Sequence, residues 1–152
     1  MIDSHKTSNV DDCKIITLNK YHHENGNLSV VESCKEIPFE LKRIYYIYDI
    51  PGGEERGGHS HRHCETLIFA VSGSFDIMLN DGKNKRTVSL NRPNIGLLVK
   101  PGIWRLLNNF SSGAVCLVLA SKEYDENDYV RSFNEFRRLT SDKINESNVS
   151  VP

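Results

Sequence analysis

No stretch of the 152 residues approaches the roughly 18–20 consecutive apolar positions that a membrane-spanning helix needs. The opening MIDSHKTSNVDDCK has no apolar heart of the kind a secretory leader carries. Excess charge is missing too: 19 Lys and Arg stand against 20 Asp and Glu, a formal net charge of −1. That balance argues against a nucleic-acid or membrane-surface binder, while leaving room for a local basic pocket. Cysteine is sparse. Cys13, Cys34, Cys64 and Cys116 are widely scattered, and without a leader we read them as free thiols in a reducing cytoplasm. No repeat of solenoid or propeller length is present. What remains is a chain with 38% hydrophobic and 26% charged residues, long enough to bury one core.

Its body reads as short strands divided by turn chemistry. Asn25-Gly26-Asn27, Pro51-Gly52-Gly53, Ser72-Gly73 and Asn80-Asp81-Gly82 punctuate runs rich in Ile, Val, Tyr and Phe. In LKRIYYIYDI the alternation puts Arg43, Tyr45 and Ile47 on one face and Ile44, Tyr46 and Tyr48 on the other. Both faces are bulky, so this strand is expected to be covered on both sides. GAVCLVLAS is nearly all apolar, the mark of a strand buried on two faces. Only DENDYVRSFNEFRRL changes period: Tyr129, Val130, Phe133 and Phe136 fall at helical spacing. We expect one helix from Glu126 to Leu139, capped by Asp125. About nine or ten strands and one helix indicate an all-β jelly roll. Residues 1–139 would form a single domain, with roughly the first 12 flexible and 140–152 a polar, frayed tail.

The richest segment chemically is RGGHSHRHCE, residues 56–65, with three histidines, a cysteine and a glutamate. His59 and His61, at i and i+2, share one face of a strand and so converge. The frame of Gly53, His59, His61, Glu65 and Gly73 resembles the first cupin motif, in which such side chains point into the mouth of a small barrel. The second cupin motif supplies a further histidine ligand. Here Gly96, Pro101, Gly102 and Asn109 stand in its frame, but the ligand position is Arg105. A guanidinium cannot ligate a cation and would repel one beside His59, His61 and Glu65. The segment therefore reads as a proton-transfer site rather than a metal site. Arg105, Arg56 and Arg43 offer forks for a phosphate or carboxylate, and would hold nearby imidazoles neutral and basic. Tyr45 shares a face with Arg43 and can aim its hydroxyl into the same pocket.

Five longer stretches carry a more specific resemblance: IPFELKRIYYIYDIPGGEERGGHSH, SGSFDIMLNDG, LNRPNIGLLVKPGIWR, NNFSSGAVCLVLAS and YDENDYVRSFNEF. Over residues 14 to 137 the chain resembles the WxcM-like cupins known as sugar 3,4-ketoisomerases, which act on thymidine-diphosphate-linked 4-keto-6-deoxyglucose. The resemblance implies a cupin jelly-roll barrel in a homodimer, often with an N-terminal strand exchanged between subunits. It implies catalysis without metal or other cofactor, in the biosynthesis of deoxysugars for surface polysaccharides. It assigns catalysis to His59, His61 and Tyr45, and substrate contacts to Arg56 and Arg105. Arg43, Glu65 and Trp104 are further candidates for substrate binding, Trp104 by stacking on base or sugar. The chemistry would move a ketone from C4 to C3 through an enediol, with His61 as the carbon base, His59 serving the oxygens and Tyr45 stabilising an enolate. A 3,5-epimerase-like activity and a non-catalytic sugar-binding cupin are the alternatives.

Overall fold

The structure is a computed structural model that describes residues 8–149, with side chains as far as residue 141. Twelve strands and one helix follow in order. β1 is Ile15–Thr17, β2 Tyr21–His23, β3 Gly26–Leu28, β4 Arg43–Ile47, β5 Arg56–His61 and β6 Thr66–Ser72. β7 is Phe75–Asn80, β8 Lys85–Leu90, β9 Ile95–Val99, β10 Trp104–Asn108, β11 Val115–Ala120 and β12 Tyr129–Val130, and α1 spans Phe133–Val149.

Two five-stranded sheets, ordered β1-β9-β6-β11-β4 and β12-β5-β10-β7-β8, are antiparallel throughout, and β2 and β3 form a separate hairpin. Ile68, Leu97 and Val118 of the first sheet meet Phe75, Ile77 and Leu107 of the second in one shared core. This is the expected jelly roll. The outer face of the first sheet is covered in its middle by the 31–41 segment, where Ile37 and Phe39 pack on Phe69, Leu98 and Leu119. Strand β11 is therefore apolar on both faces because both are buried, as its unbroken apolar run suggested.

Three local expectations change. The outer face of β4 is bare: Ile44, Tyr46 and Tyr48 are 53%, 61% and 59% exposed. This strand lies at a sheet edge, and no segment among the described residues reaches across it. Nor does the helix begin at Glu126. Asp125 caps only a 3₁₀ turn over Glu126–Asp128, accepting from the Asn127 N–H. Tyr129 and Val130 then extend and pair with His61 and Ser60 of β5. The aromatic and β-branched pair is better used closing a sheet edge than starting a helix. The helix starts after Ser132, whose hydroxyl accepts from the Glu135 N–H at 3.3 Å, and it continues to Val149, well beyond residue 139. At the other terminus, Val10–Asp12 form a capped 3₁₀ turn with Val10 buried; the rest of the segment expected to be flexible, residues 1–7, lies outside the described residues, as do residues 150–152 of the expected tail.

Candidate active site

The side chains of β5 owe their aim to a bulge. Residues 56 and 59 would point to opposite faces of a regular strand. Opposite β10, however, His59 faces Arg105 and Arg56 faces Leu107, so β5 carries one extra residue. Gly57 takes it up at φ +75, a left-handed conformation that costs glycine little. The bulge brings Arg56 round to the side of His59, where both line one cavity of about 370 Å³. Arg43, Tyr45 and Ile47 of β4 line its other wall, and Tyr124, Tyr129 and Arg131 complete it.

At the floor, the two imidazoles meet edge-on, Nε2 to Nε2 at 3.2 Å. Both are buried. Arg105, paired with His59 across the sheet, donates from Nη2 to His59 Nε2 at 2.9 Å and from Nη1 to Thr66 Oγ1 at 2.6 Å. Asp128 accepts from His61 Nδ1 at 2.9 Å. Burial first, then the Arg105 charge, lowers both histidines: His59 falls far below the ordinary imidazole range, and His61 falls to about 4, with Asp128 opposing the shift. Burial also raises the Tyr45 phenol. Both imidazoles are thus neutral at pH 7.

Above them lies a cationic, aromatic wall. Arg43 donates from Nη2 to the Tyr129 hydroxyl at 3.2 Å and lies over the rings of Tyr45, Tyr124 and Tyr129. Its Nε is buried with no hydrogen-bond partner among the described residues. Arg131 stacks 4.2 Å above Tyr129 and is held by both oxygens of Glu126. The arrangement offers an anion its donors, a planar group its rings and an acidic carbon its base.

His59, Tyr45, Arg56 and Arg43 therefore line one cavity, with His61 and Arg105 buried against His59. Glu65 and Trp104 lie apart. Thr66 turns inward to take the Arg105 bond, so its neighbour Glu65 points away, and it pairs with Lys100 at 3.3 Å beside a different cavity. Trp104 likewise lies on the opposite face of β10 from Arg105, packed under α1 against Phe133 and Phe136. Glu65 does not join His59 and His61 as a metal-ligand set. Among the described residues, the donors that cluster are His61, Cys64 and Asp128. Two of these are already bonded to each other, and Asp128 also accepts from the backbone N–H groups of His63 and Cys64.

Asp128, Tyr129, Tyr124 and Arg131 are the site residues that sequence reasoning missed. Tyr124 stands just before the cap, and Asp128, Tyr129 and Arg131 fell in the segment read as a helix. Its one corrective signal was Ser132-x-x-Glu135, a capping-box pattern that places the helix start later.

A jelly roll whose mouth holds paired neutral imidazoles beneath arginines and phenols defines a cupin suited to proton transfer on an anionic substrate. The family model described as FdtA, WxcM-like, C-terminal, matches residues 11–141. The chain is 40% identical over 132 residues to a TDP-4-oxo-6-deoxy-alpha-D-glucose-3,4-oxoisomerase of Aneurinibacillus thermoaerophilus, covering 87% of this chain and 94% of that one. Among solved structures it resembles a 3,4-ketoisomerase from Helicobacter canadensis, with 47% identity, a TM-score of 0.83, and 86% and 98% of the two chains covered. A histidine-to-asparagine variant of a 3,4-ketoisomerase from Thermoanaerobacterium thermosaccharolyticum, in complex with TDP-4-keto-6-deoxyglucose, also matches: 32% identity, a TM-score of 0.84, 86% and 95% covered. The chain belongs to the WxcM-like family of sugar 3,4-ketoisomerases.

Proposed function

We propose that the protein isomerises a thymidine-diphosphate-linked 4-keto-6-deoxyhexose, moving the ketone from C4 to C3 without a metal ion. The observation that carries this reading is the pair of neutral imidazoles 3.2 Å apart, with His59 lining an arginine-lined cavity and His61 directly behind it. Relatives that share the family are named for this reaction or hold this substrate.

His61 takes the proton from C3, since Asp128 favours its charged form. The electron pair moves into an enediolate and a proton is returned at C4, while His59 and Tyr45 serve the two oxygens. Arg43 and Arg56, on the walls of the cavity, bind the diphosphate or polarise the ketone. Arg105 guards the pair against a cation: its donor occupies His59 Nε2, and its charge sits where a third ligand would be needed. The enzyme works as a cytoplasmic homodimer in deoxysugar biosynthesis, with the bare face of β4 supporting the dimer.

Proton NMR in deuterated buffer with TDP-4-keto-6-deoxyglucose tests the reading. We expect a 3-keto sugar carrying deuterium at C4, formed equally fast with chelator present. Inverted centres with the ketone still at C4 would mean an epimerase, and binding without exchange would mean a sugar-binding protein.

A further inference from the structure

One group controls His61 without lining the cavity. Asp128 precedes β12, 67 residues away along the chain, and its carboxylate is nearly buried. Its Oδ1 accepts from the His63 N–H at 2.7 Å, and its Oδ2 from the Cys64 N–H at 3.3 Å and His61 Nδ1 at 2.9 Å. An ionised carboxylate only accepts. The bonded His61 nitrogen must therefore carry its hydrogen, which leaves Nε2 bare when the ring is neutral. His59 Nε2 is bare as well, because the guanidinium of Arg105 donates into it. The two Nε2 atoms thus lie 3.2 Å apart with no hydrogen between them, the lone pair of His59 engaged by Arg105 and that of His61 free of it.

We propose that Asp128 is a positioning residue for the reaction, holding His61 in its Nδ1–H form so that its Nε2 keeps a lone pair with which to accept a proton. It also stabilises the imidazolium formed when that nitrogen is protonated. The second backbone-held oxygen keeps the carboxylate from turning, so the aim of His61 is fixed by a scaffold rather than by one flexible bond. The catalytic part of this inference rests on the isomerase reading. Its structural part, the state of the ring nitrogens, does not.

Other charged and titratable groups act on His61 as well. His59 adjoins it on β5, Arg105 faces it from β10, Arg43 from β4, and Tyr129 packs against it from β12. Arg105 and Arg43 oppose its protonation, and Asp128 is the carboxylate that favours it.

The test joins two measurements on the full chain, with Asp128→Asn and Asp128→Glu variants. In substrate-free wild-type protein, ¹⁵N NMR at pH 7 should find His61 with hydrogen on Nδ1 and none on Nε2. Asp128→Asn should populate the opposite form. Its kcat should fall by about 100-fold or more, with KM within about threefold of wild type. The acid limb of its pH profile should move to lower pH, because the lost carboxylate no longer favours the imidazolium. Asp128→Glu should restore part of kcat. Affinity for TDP, measured by calorimetry, should stay unchanged and so report an intact fold.

Hydrogen on Nε2 of wild-type His61 would overturn the proposal outright, whether or not any variant folds. So would a kcat for Asp128→Asn within about threefold of wild type at an unchanged pH profile. Equal losses at every pH with His61 still in the Nδ1–H form would reduce Asp128 to a structural part. A wild-type protein with no turnover would sink the isomerase reading, while the ring-nitrogen result would still decide where Asp128 holds the hydrogen.

Discussion

Arg105 sets the chemistry of both imidazoles. It is 2% exposed, and no carboxylate pairs with it among the described residues. Its charge is left to act on whatever lies near, and the nearest groups are His59 and, beyond it, His61. Two consequences follow for pH. His61 accepts protons while it is neutral, above about 4, so kcat/KM should hold level through neutrality and fall about tenfold per pH unit below that point. In Arg105→Gln the repulsion is gone, the histidine values move back toward 6.5, and the acid limb should rise with them. A limb that stays in place in stopped assays across pH 4–8 would show that Arg105 does not tune the pair. Stability shares the sign. Folded His61 binds its proton more weakly than the unfolded chain does, so stability is full above about 6.5 and declines as pH falls toward 4. Thermal melts across that window should show Tm dropping, and Arg105→Gln should flatten the drop. At this scale much of the site was legible. The i, i+2 histidines and the arginine at the cupin ligand position are local patterns in RGGHSH and PGIWR. Glu65 and Trp104 were misplaced because strand alternation near a bulge or a turn depends on which neighbour is held inward, and Thr66 and Arg105 hold those positions.

At the scale of elements, the segment after Asp125 decides how the mouth is closed. A turn, a two-residue strand and then the helix replace the single helix that the apolar spacing suggested. Apolar residues three and four apart were read as one helical face, yet Tyr129 and Val130 serve a strand edge while Phe133 and Phe136 serve the helix. The period alone could not divide them, because the dividing pair, Ser132 and Glu135, is short and polar. The helix is anchored by aromatic packing. Phe136 is fully buried against Trp104 and Phe133. Phe136→Ala should therefore cost about 3–5 kcal/mol in urea unfolding. Since α1 follows directly on β12, the loss should also loosen Tyr129 and weaken TDP binding. A variant that loses less than about 1 kcal/mol would show that the helix is held elsewhere. Arg62, bonded to Glu135 at 3.2 Å, ties the same helix to the turn after His61, but this partly exposed pair is worth little beside the aromatic contact.

For the whole molecule, the β4 strand poses the sharpest question. Its inner face was read correctly from alternation, with Arg43, Tyr45 and Ile47 at the cavity. Its outer face was read as bulky and covered, and no segment among the described residues supplies that cover. A sequence reports that a face wants cover; it does not say whether the cover lies in the same chain. Ile44, Tyr46 and Tyr48 form a contiguous exposed row, with the two tyrosine rings 5.7 Å apart. Tyr21 and Leu28 of the β2–β3 hairpin are exposed as well, on an element that pairs with no other strand among the described residues. A monomer seldom leaves so large an apolar edge to water. A second copy offers the same row and satisfies both by symmetry. Light scattering should find a dimer at micromolar concentration. Tyr46→Glu, which places a charge in the middle of the row, should shift it to monomer. Because Arg43 and Tyr45 stand on the same strand, that shift should also raise KM for the nucleotide sugar. A wild-type monomer, or a Tyr46→Glu protein that remains dimeric, would move the interface away from β4 and leave the exposed row without a partner.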